Sequence, residues 1–280
     1  MKKYSLIIDV NRCENCNNCF LSCKDEHCGN DWPGYSLAQP QHGQRWMNIS
    51  RKERGQFPLV EVAYLPRPCM HCDEAPCIEA SVNGGVYKRD DGVVLIDPIK
   101  ARGQREIASG CPYGAIWWNE EAQVPQKCTM CAHLLDQGWK APRCVQACPT
   151  GALSIKQLED RELEALVLSE KLEPLVAEGK KTRPRVYYKN LHLFQSCMVA
   201  GSVATSKDGI TECVVGATVK LLREGQIVSQ QSSDDFGDYR FDGLKKNSGS
   251  YEVEILYGGQ SIRRKIGTLE KSVSVDTLWI

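Results

Sequence analysis

The sequence predicts an α+β chain with two parts of different character, and three observations support this prediction. Thirteen of the fifteen cysteines lie before residue 150, where they fall into regularly spaced groups. Residues 158–178 have the periodicity of a helix with an acidic first turn. From about residue 199 the pattern changes to alternating apolar and polar residues separated by turn sequences, which is typical of strands. The predicted organisation is therefore a cysteine-rich domain at 1–157, a helical connector at 158–197 and a β domain at 198–280.

Composition excludes several classes of function. The 35 basic residues balance the 35 acidic residues, so no charge excess indicates a nucleic-acid partner. The N-terminal apolar run is short and is interrupted by Asp9, which favours a strand over a signal peptide. The longest weakly apolar stretch, near residues 193–204, is too short and too polar to span a bilayer. We therefore expect a cytoplasmic protein without a membrane anchor, or one exported only when bound to a signal-bearing partner.

The cysteines of the first part form four groups. The first group has the spacing C-x2-C-x2-C-x3-C, the second C-x2-C-x4-C, and the fourth C-x2-C-x12-C-x3-C; the third is a single cysteine. In order, the members are Cys13, Cys16, Cys19 and Cys23; Cys69, Cys72 and Cys77; Cys111; and Cys128, Cys131, Cys144 and Cys148. The third and fourth groups each end in Cys-Pro. This spacing is typical of ferredoxins with two [4Fe–4S] clusters, in which three cysteines of a run bind one cluster and the fourth binds the other.

The same exchange rule, applied to the first group with the fourth and the second with the third, predicts three complete clusters. Their ligands are Cys13, Cys16, Cys19 and Cys148 (site 1); Cys23, Cys128, Cys131 and Cys144 (site 2); and Cys69, Cys72, Cys77 and Cys111 (site 3). A fourth cluster would need four positions that hold no cysteine, namely Ser81, Ala101, Gln104 and Ile107 (the emptied fourth site). Because every missing ligand belongs to one site, the sequence predicts a double ferredoxin-like domain with three clusters. Cys111 persists because it serves a neighbouring cluster.

Zinc and disulfides are the alternatives for these cysteines. A structural zinc site takes four ligands, usually from two distant C-x2-C pairs. Four cysteines within eleven residues, together with two Cys-Pro sequences, favour iron–sulfur clusters instead. Disulfides are less favoured because nothing in the sequence indicates secretion.

Several other residues invite a functional role but are better explained by packing. We expect His71 and His133 to pack beside cluster cysteines rather than to bind metal. Trp117 and Trp118 are expected in the core or at a subunit interface. The cysteines outside the motifs are expected to be buried free thiols: Cys28, Cys197 and Cys213.

The C-terminal part predicts a β-sandwich of seven strands. Its sequence GATVKLL, followed by DYRFDGL and GSYEVEI, resembles domains of the transthyretin-like, carboxypeptidase-regulatory type. The chain has no Walker loop, no dinucleotide-binding sequence and no nucleophile with an evident base. We therefore expect no catalytic residues in this chain, and an interaction or stabilising role for the β domain.

The segments CENCNNCFLSCKDEH, CPYGAIWWNEE, QKCTMCAHLLD and RPRVYYKNL resemble the iron–sulfur subunits of the dimethyl-sulfoxide-reductase family. Within it, they are most similar to members that transfer, add or remove hydroxyl groups on polyhydroxylated aromatics. The resemblance implies a large catalytic subunit with a molybdenum or tungsten pterin, which site 1 would face. It also implies that the emptied site corresponds to the usual electron exit. The alternatives are a subunit of a reductase or dehydrogenase for an inorganic or one-carbon substrate, and a free-standing multicluster ferredoxin.

Overall fold

The computed structural model describes residues 1–280 as a mixed α+β chain dominated by strands. The chain divides into two compact units, Met1–Ser50 with Tyr64–Leu191 (unit 1) and Arg51–Ala63 with His192–Ile280 (unit 2). The helices are α1 (Asn18–His27), α2 (Pro76–Glu79), α3 (Glu106–Ser109), α4 (Ala132–Asp136), α5 (Arg143–Gln146), α6 (Asp160–Glu170) and α7 (His192–Gln195). None of them combines the length and the hydropathy that a membrane-spanning helix requires.

The strands are mostly short and form six sheets. They are β1 (Lys3–Asp9), β2 (Asn48–Gln56), β3 (Leu59–Arg67), β4 (Val86–Lys88), β5 (Val94–Ile96), β6 (Trp117–Asn119), β7 (Val124–Gln126), β8 (Leu153–Leu158), β9 (Glu173–Pro174), β10 (Val186–Lys189), β11 (Cys197–Lys207), β12 (Ile210–Cys213), β13 (Thr218–Arg223), β14 (Gln226–Ser232), β15 (Asp238–Leu244), β16 (Ser250–Tyr257), β17 (Gln260–Thr268), β18 (Val273–Ser274) and β19 (Leu278–Trp279).

Unit 1 is organised on a four-stranded sheet in the order β8-β1-β10-β9. The N-terminal run forms β1, as predicted, and buries Leu6 and Ile8. It pairs antiparallel with β8 and parallel with β10. Since β10 lies within residues 158–197, this segment contributes a strand to the sheet and is not a purely helical connector.

The predicted helix at 158–178 is shorter in the structure. Glu159 caps α6, and the Glu162 side chain accepts a hydrogen bond from the Glu159 backbone, which fixes the start of the helix. Lys171 adopts a left-handed conformation with φ of 53°, which ends the helix. The chain beyond it pairs with β10 as β9, so pairing in the sheet replaces the predicted last turns of the helix.

Two hairpins of unit 1 connect the cysteine groups. The sequence RDDG, a typical hairpin-turn sequence, forms the turn between β4 and β5, with Val86 paired to Ile96. Gly92 in this turn has φ of +85°, a conformation that glycine adopts without steric cost. The β6–β7 hairpin links Cys111 to the fourth cysteine group.

Unit 2 contains two sheets that share one apolar core. In the first, β11 pairs with β12, β15, β18 and β19, and the second has the order β14-β13-β16-β17. Side chains from both sheets fill the core, including Val199, Phe241, Leu221 and Ile255. The region has nine strands rather than the seven predicted. Strand β12 is exposed along its whole length and gave no alternating pattern, and the final segment is divided into β18 and β19.

An ion-pair network joins the β2–β3 hairpin to strand β15. The Arg54 side chain is fully buried and donates to Asp242 at 2.7 Å and to Glu61 at 2.9 Å. Asp242 also pairs with Arg240. Burial opposes the charged form of Asp242, but the hydrogen bonds from Arg54 and Arg240 outweigh it and hold the pKa of this carboxyl below its usual range.

Candidate metal centres

The structure brings together the four cysteines of site 1. Cys13 follows a short 3-10 turn, Cys19 lies in the first turn of α1, and Cys148 follows α5, which packs against α1. Burial raises the pKa of Cys13, and the nearby thiols of Cys148 and Cys16 raise it further. Cys16 is exposed, so site 1 is open to solvent on one side.

The four cysteines of site 2 line one apolar cavity. Met130 and Cys131 both have positive φ, which turns the chain so that Cys128 and Cys131 face the same space. The backbone N–H of Met130 donates to the Sγ of Cys128 at 3.3 Å. Burial raises the pKa of Cys128 to about 11 and that of Cys131 to about 12.

The four cysteines of site 3 line a second cavity, together with apolar side chains such as Ile116. A positive φ at His71 turns the chain between Cys69 and Cys72, and the backbone N–H of His71 donates to the Cys69 Sγ at 3.5 Å. Burial raises the pKa of Cys72 and of Cys77 to about 12, and the Cys69 thiol adds to both shifts. Cys69 also lines the cavity of site 2, so sites 2 and 3 are adjacent.

These surroundings fit a thiolate-bound inorganic cluster. All fifteen cysteines are free, and no group of three or more His, Cys, Asp or Glu side chains is arranged to hold a single metal ion. In sites 2 and 3 the sulfurs instead line an apolar space, with backbone N–H groups directed at two of them. Thiolate sulfur is the ligand that iron–sulfur clusters use, and metal binding stabilises the deprotonated form that burial alone disfavours. That these twelve thiols are cluster ligands stays a prediction.

The emptied fourth site is filled by ordinary protein packing. Ala101 and Ile107 are fully buried. The Gln104 amide donates to the carbonyls of Lys100 and Val82 at 2.7 and 3.2 Å, and accepts from the Val82 N–H at 2.8 Å. The Ser81 hydroxyl donates to the Ile78 carbonyl and accepts from the Val86 N–H. Hydrogen bonds and apolar contacts therefore fill the space that a fourth cluster would have occupied.

The histidines pack beside the cysteines as expected. His71 accepts a hydrogen bond from the Val94 N–H, and His133 lies 2.9 Å from Glu26 and stacks on Trp32. Sequence reasoning missed His27, which lines the site 2 cavity. Burial lowers the pKa of His27 to about 3 and also lowers that of His71, so neither brings positive charge to the cavity at neutral pH.

Two other expectations from sequence have different outcomes. Trp117 and Trp118, expected in the core or at a subunit interface, are both half-buried. Trp118 packs under the guanidinium of Arg105, with 4.7 Å between the guanidinium carbon and the ring centre. Of the cysteines outside the motifs, Cys197 is buried, Cys28 is half-buried and Cys213 is exposed. The expectation of a buried thiol is wrong for Cys213, which lies on the exposed strand β12.

Sequence reasoning also missed two buried cations in unit 1. Arg185 belongs to the segment predicted to be a helical connector, yet it is 1 % exposed and forms a two-point ion pair with Asp73 at 2.8 and 2.9 Å. Asp73 directly follows the site 3 cysteine Cys72, so this pair fixes the cysteine loop to the sheet. The second cation is Lys127, directly before Cys128, which is 3 % exposed. The available sequence signal was that Asp73 and Lys127, which carry opposite charges, each lie next to a motif cysteine.

Comparison with known proteins agrees with this geometry. A family model described as a 4Fe-4S dicluster domain matches residues 60–158. The small subunit of pyrogallol hydroxytransferase from Pelobacter acidigallici is 45 % identical over 278 residues, which cover 98 % of each chain. This chain belongs to the same family of iron–sulfur small subunits.

More distant members of the iron–sulfur small-subunit family match over a smaller share of the chain. A putative iron–sulfur subunit of a dimethyl sulfoxide reductase from Halobacterium salinarum is 32 % identical and covers 68 % of this chain and 80 % of its own. A sulfite dehydrogenase subunit from Allochromatium vinosum is 33 % identical, over 60 % of this chain and 74 % of its own. The predicted family and its iron–sulfur, electron-transfer character are confirmed.

Proposed function

We propose that this chain is the electron-transfer subunit of a heteromeric molybdopterin enzyme that acts on polyhydroxylated aromatics. The observation that carries the proposal is the near full-length similarity to the pyrogallol hydroxytransferase small subunit, combined with three sets of four cysteines and a packed fourth site. The catalytic partner would be a large subunit that holds a molybdenum or tungsten pterin. The reaction class is hydroxyl transfer, hydroxylation or dehydroxylation of a phenol or catechol.

In this proposal the twelve cysteines of sites 1, 2 and 3 hold three [4Fe–4S] clusters, which supply one-electron transfer when bound. The chain excludes water from sites 2 and 3 by surrounding the sulfurs with apolar side chains. Backbone N–H groups of Met130 and His71 donate to cysteine sulfurs, which is one way in which a protein adjusts cluster potentials. The partial exposure of site 1 suits the face directed at the catalytic subunit.

The proposed domains follow the same division of roles. Residues 1–157 would carry the clusters, and 158–197 would connect them to the C-terminal part. Residues 198–280 are proposed to be a β-sandwich of the transthyretin-like type, because two sheets share one apolar core. We assign this part an interaction or stabilising role and place the complex in the cytoplasm, which cell fractionation would test.

The test is the iron-to-molybdenum ratio, with tungsten measured too, in the native complex purified without oxygen. Three clusters in this chain and none in the partner give about twelve irons per molybdenum or tungsten, since each cluster holds four. A ratio of about sixteen indicates another cluster in the partner and favours a reductase or dehydrogenase for an inorganic or one-carbon substrate.

Co-purification distinguishes the remaining alternative. A subunit should be isolated together with a much larger chain. Iron in the absence of both molybdenum and tungsten, in a protein that purifies alone, would contradict the proposal and indicate a free-standing multicluster ferredoxin.

A further inference from the structure

Lys127 is a buried cation without an acidic partner. It follows β7, directly before the site 2 cysteine Cys128, and is 3 % exposed. Its Nζ donates to the backbone carbonyl of Val94 and, at 3.0 Å, to that of Cys128. Both acceptors are neutral carbonyls, and Lys127 forms no ion pair with a carboxylate. A full positive charge is thus enclosed by groups that only partly compensate it.

Lys127 lies between the two sites. One of its acceptors is the carbonyl of Cys128 in site 2, and the other is the carbonyl of Val94, a residue that lines the cavity of site 3. Its ammonium group therefore lies within electrostatic range of both cysteine sets.

Lys88 provides a comparison within the same unit. Its Nζ donates to the carbonyl of the site 3 cysteine Cys72 at 3.2 Å, so it also contacts the backbone of a predicted ligand. Unlike Lys127, it forms an ion pair with Asp73, which is paired in turn with Arg185. The charge of Lys88 is therefore partly compensated by a carboxylate, which Lys127 lacks.

Burying a charge without a partner is unfavourable, and folded proteins usually provide a counter-charge. A [4Fe–4S] cluster bound by four thiolates is a net negative group, and sites 2 and 3 would place two of them beside Lys127. Reduction adds one electron to a cluster and makes it more negative, with no bond formed or broken. A fixed positive charge in a low-dielectric interior favours the reduced form, and net charge and burial are among the factors that set cluster potentials.

We propose that Lys127 raises the reduction potentials of the clusters at sites 2 and 3 and leaves that of site 1 unchanged. Lys127 acts on the clusters through its fixed charge and makes no contact with substrate. This inference rests on the cluster ligation proposed above. Its consequence is that Lys127 shifts the distribution of electrons away from site 1 and towards sites 2 and 3.

The experiment is a potentiometric titration of the intact, anaerobically purified complex, followed by electron paramagnetic resonance. Lys127→Met removes the charge, and Lys127→Gln removes it while keeping an N–H that can donate to a carbonyl. Lys88→Met is the matched control, because it leaves Asp73 paired with Arg185. A Cys111→Ser variant assigns the site 3 signal. We expect both Lys127 variants to weaken reduction at sites 2 and 3 about tenfold, a fall of about 59 mV for one electron, with site 1 unchanged.

Three results would overturn the role of Lys127. These are unchanged potentials in complexes that retain all their iron, equal shifts in the Lys127→Met and Lys88→Met variants, or wild-type potentials in Lys127→Gln. The last result would assign the effect to the hydrogen bond rather than to the charge. Iron analysis of the wild-type complex separates these outcomes from failure of the proposed function, since fewer than three clusters there would refute the ligation itself.

Discussion

The two compact units complete their interiors in different ways. Unit 2 fills its interior with side chains from both sheets, and residues such as Val219, Val253 and Ile255 are fully buried against one another. In unit 1, part of the interior consists of cavities lined by thiols and apolar side chains. Unit 2 is therefore a self-sufficient apolar core, whereas unit 1 is completed by an inorganic group in the proposed ligation. Stability should depend on iron in one unit and on packing in the other.

The largest expected effect is that of iron removal. Metal binding at sites that the unfolded chain lacks contributes directly to folding, so chelation in the presence of an oxidant should destabilise unit 1. We expect amide hydrogen exchange in α1, α4 and β8 to accelerate at least about a hundredfold, or about 2.7 kcal/mol. Peptides from β13 and β16 in unit 2 should keep their protection. Equal loss of protection in both units would show that the stability of unit 1 does not depend on iron more than that of unit 2.

Next in size is the loss of a single ligand. Cys131→Ser should remove the site 2 cluster and reduce iron from about twelve to about eight per complex, because each cluster holds four irons. The control is Cys213→Ser, which changes an exposed thiol in unit 2 and should leave iron unchanged. Iron and sulfide analysis of the purified complexes measures both variants. Full iron content in Cys131→Ser would remove Cys131 from the ligand set.

The emptied fourth site allows a direct comparison of the two units, because at this site the interior of unit 1 is filled by side chains, as the interior of unit 2 is. Ile107 is fully buried, so Ile107→Ala should lower the free energy of unfolding of unit 1 by about 2–5 kcal/mol. The complex should retain all twelve irons. Ile99→Ala, at a side chain 83 % exposed, is the control and should cost less than about 0.5 kcal/mol. Hydrogen exchange measures the stability of unit 1. Loss of iron from Ile107→Ala would mean that the packing of the emptied site is also needed to hold the remaining clusters.

The smallest effect is a pH dependence within unit 2. Because its partners hold the pKa of Asp242 below the unfolded value of about 3.8, the stabilisation is complete above that pH and decreases as the pH falls below it. Asp242→Asn should lower the stability of β15 and β16 by about 1.5–3 kcal/mol at pH 6. The difference from wild type should narrow at pH 3, as measured by hydrogen exchange in unit 2 peptides. A difference that is constant between pH 6 and pH 3 would exclude ionisation of Asp242 as its cause.

Sequence was most informative where function imposes a fixed spacing. The three cysteine sets could be predicted because ligands of a cluster of fixed size must follow one another at fixed spacings. The structure brings the same residues together. The turn at RDDG and the strand β1 were predictable because local sequence determines them. Strand β10 was not, since its parallel partner β1 lies far away in the chain and its own sequence also suits a connector.

The buried cations could not be predicted for a different reason. Hydrophobic periodicity identifies apolar faces, but it assigns lysine and arginine to the surface. Arg185 and Lys127 are buried because partners from distant segments, Asp73 for one and the carbonyl of Val94 for the other, meet them in the fold. Burial of charge is thus a tertiary property that no local pattern records.

The exchange of ligands between sites 1 and 2 has a consequence for biosynthesis. Cys23 lies at the middle of α1 but belongs to the set of the fourth group, while Cys148 at the far end belongs to the set of the first. With this ligation, site 2 lacks a ligand until Cys144 has been synthesised and site 1 until Cys148 has been synthesised, and both also need α5 to pack against α1. Cluster insertion must then follow, not accompany, synthesis of the first half. A chain truncated anywhere before Cys148 would leave site 1 incomplete, and one truncated before Cys144 would leave both sites incomplete. Each cluster would take one of its four thiolates from the segment that supplies the other three ligands of its neighbour.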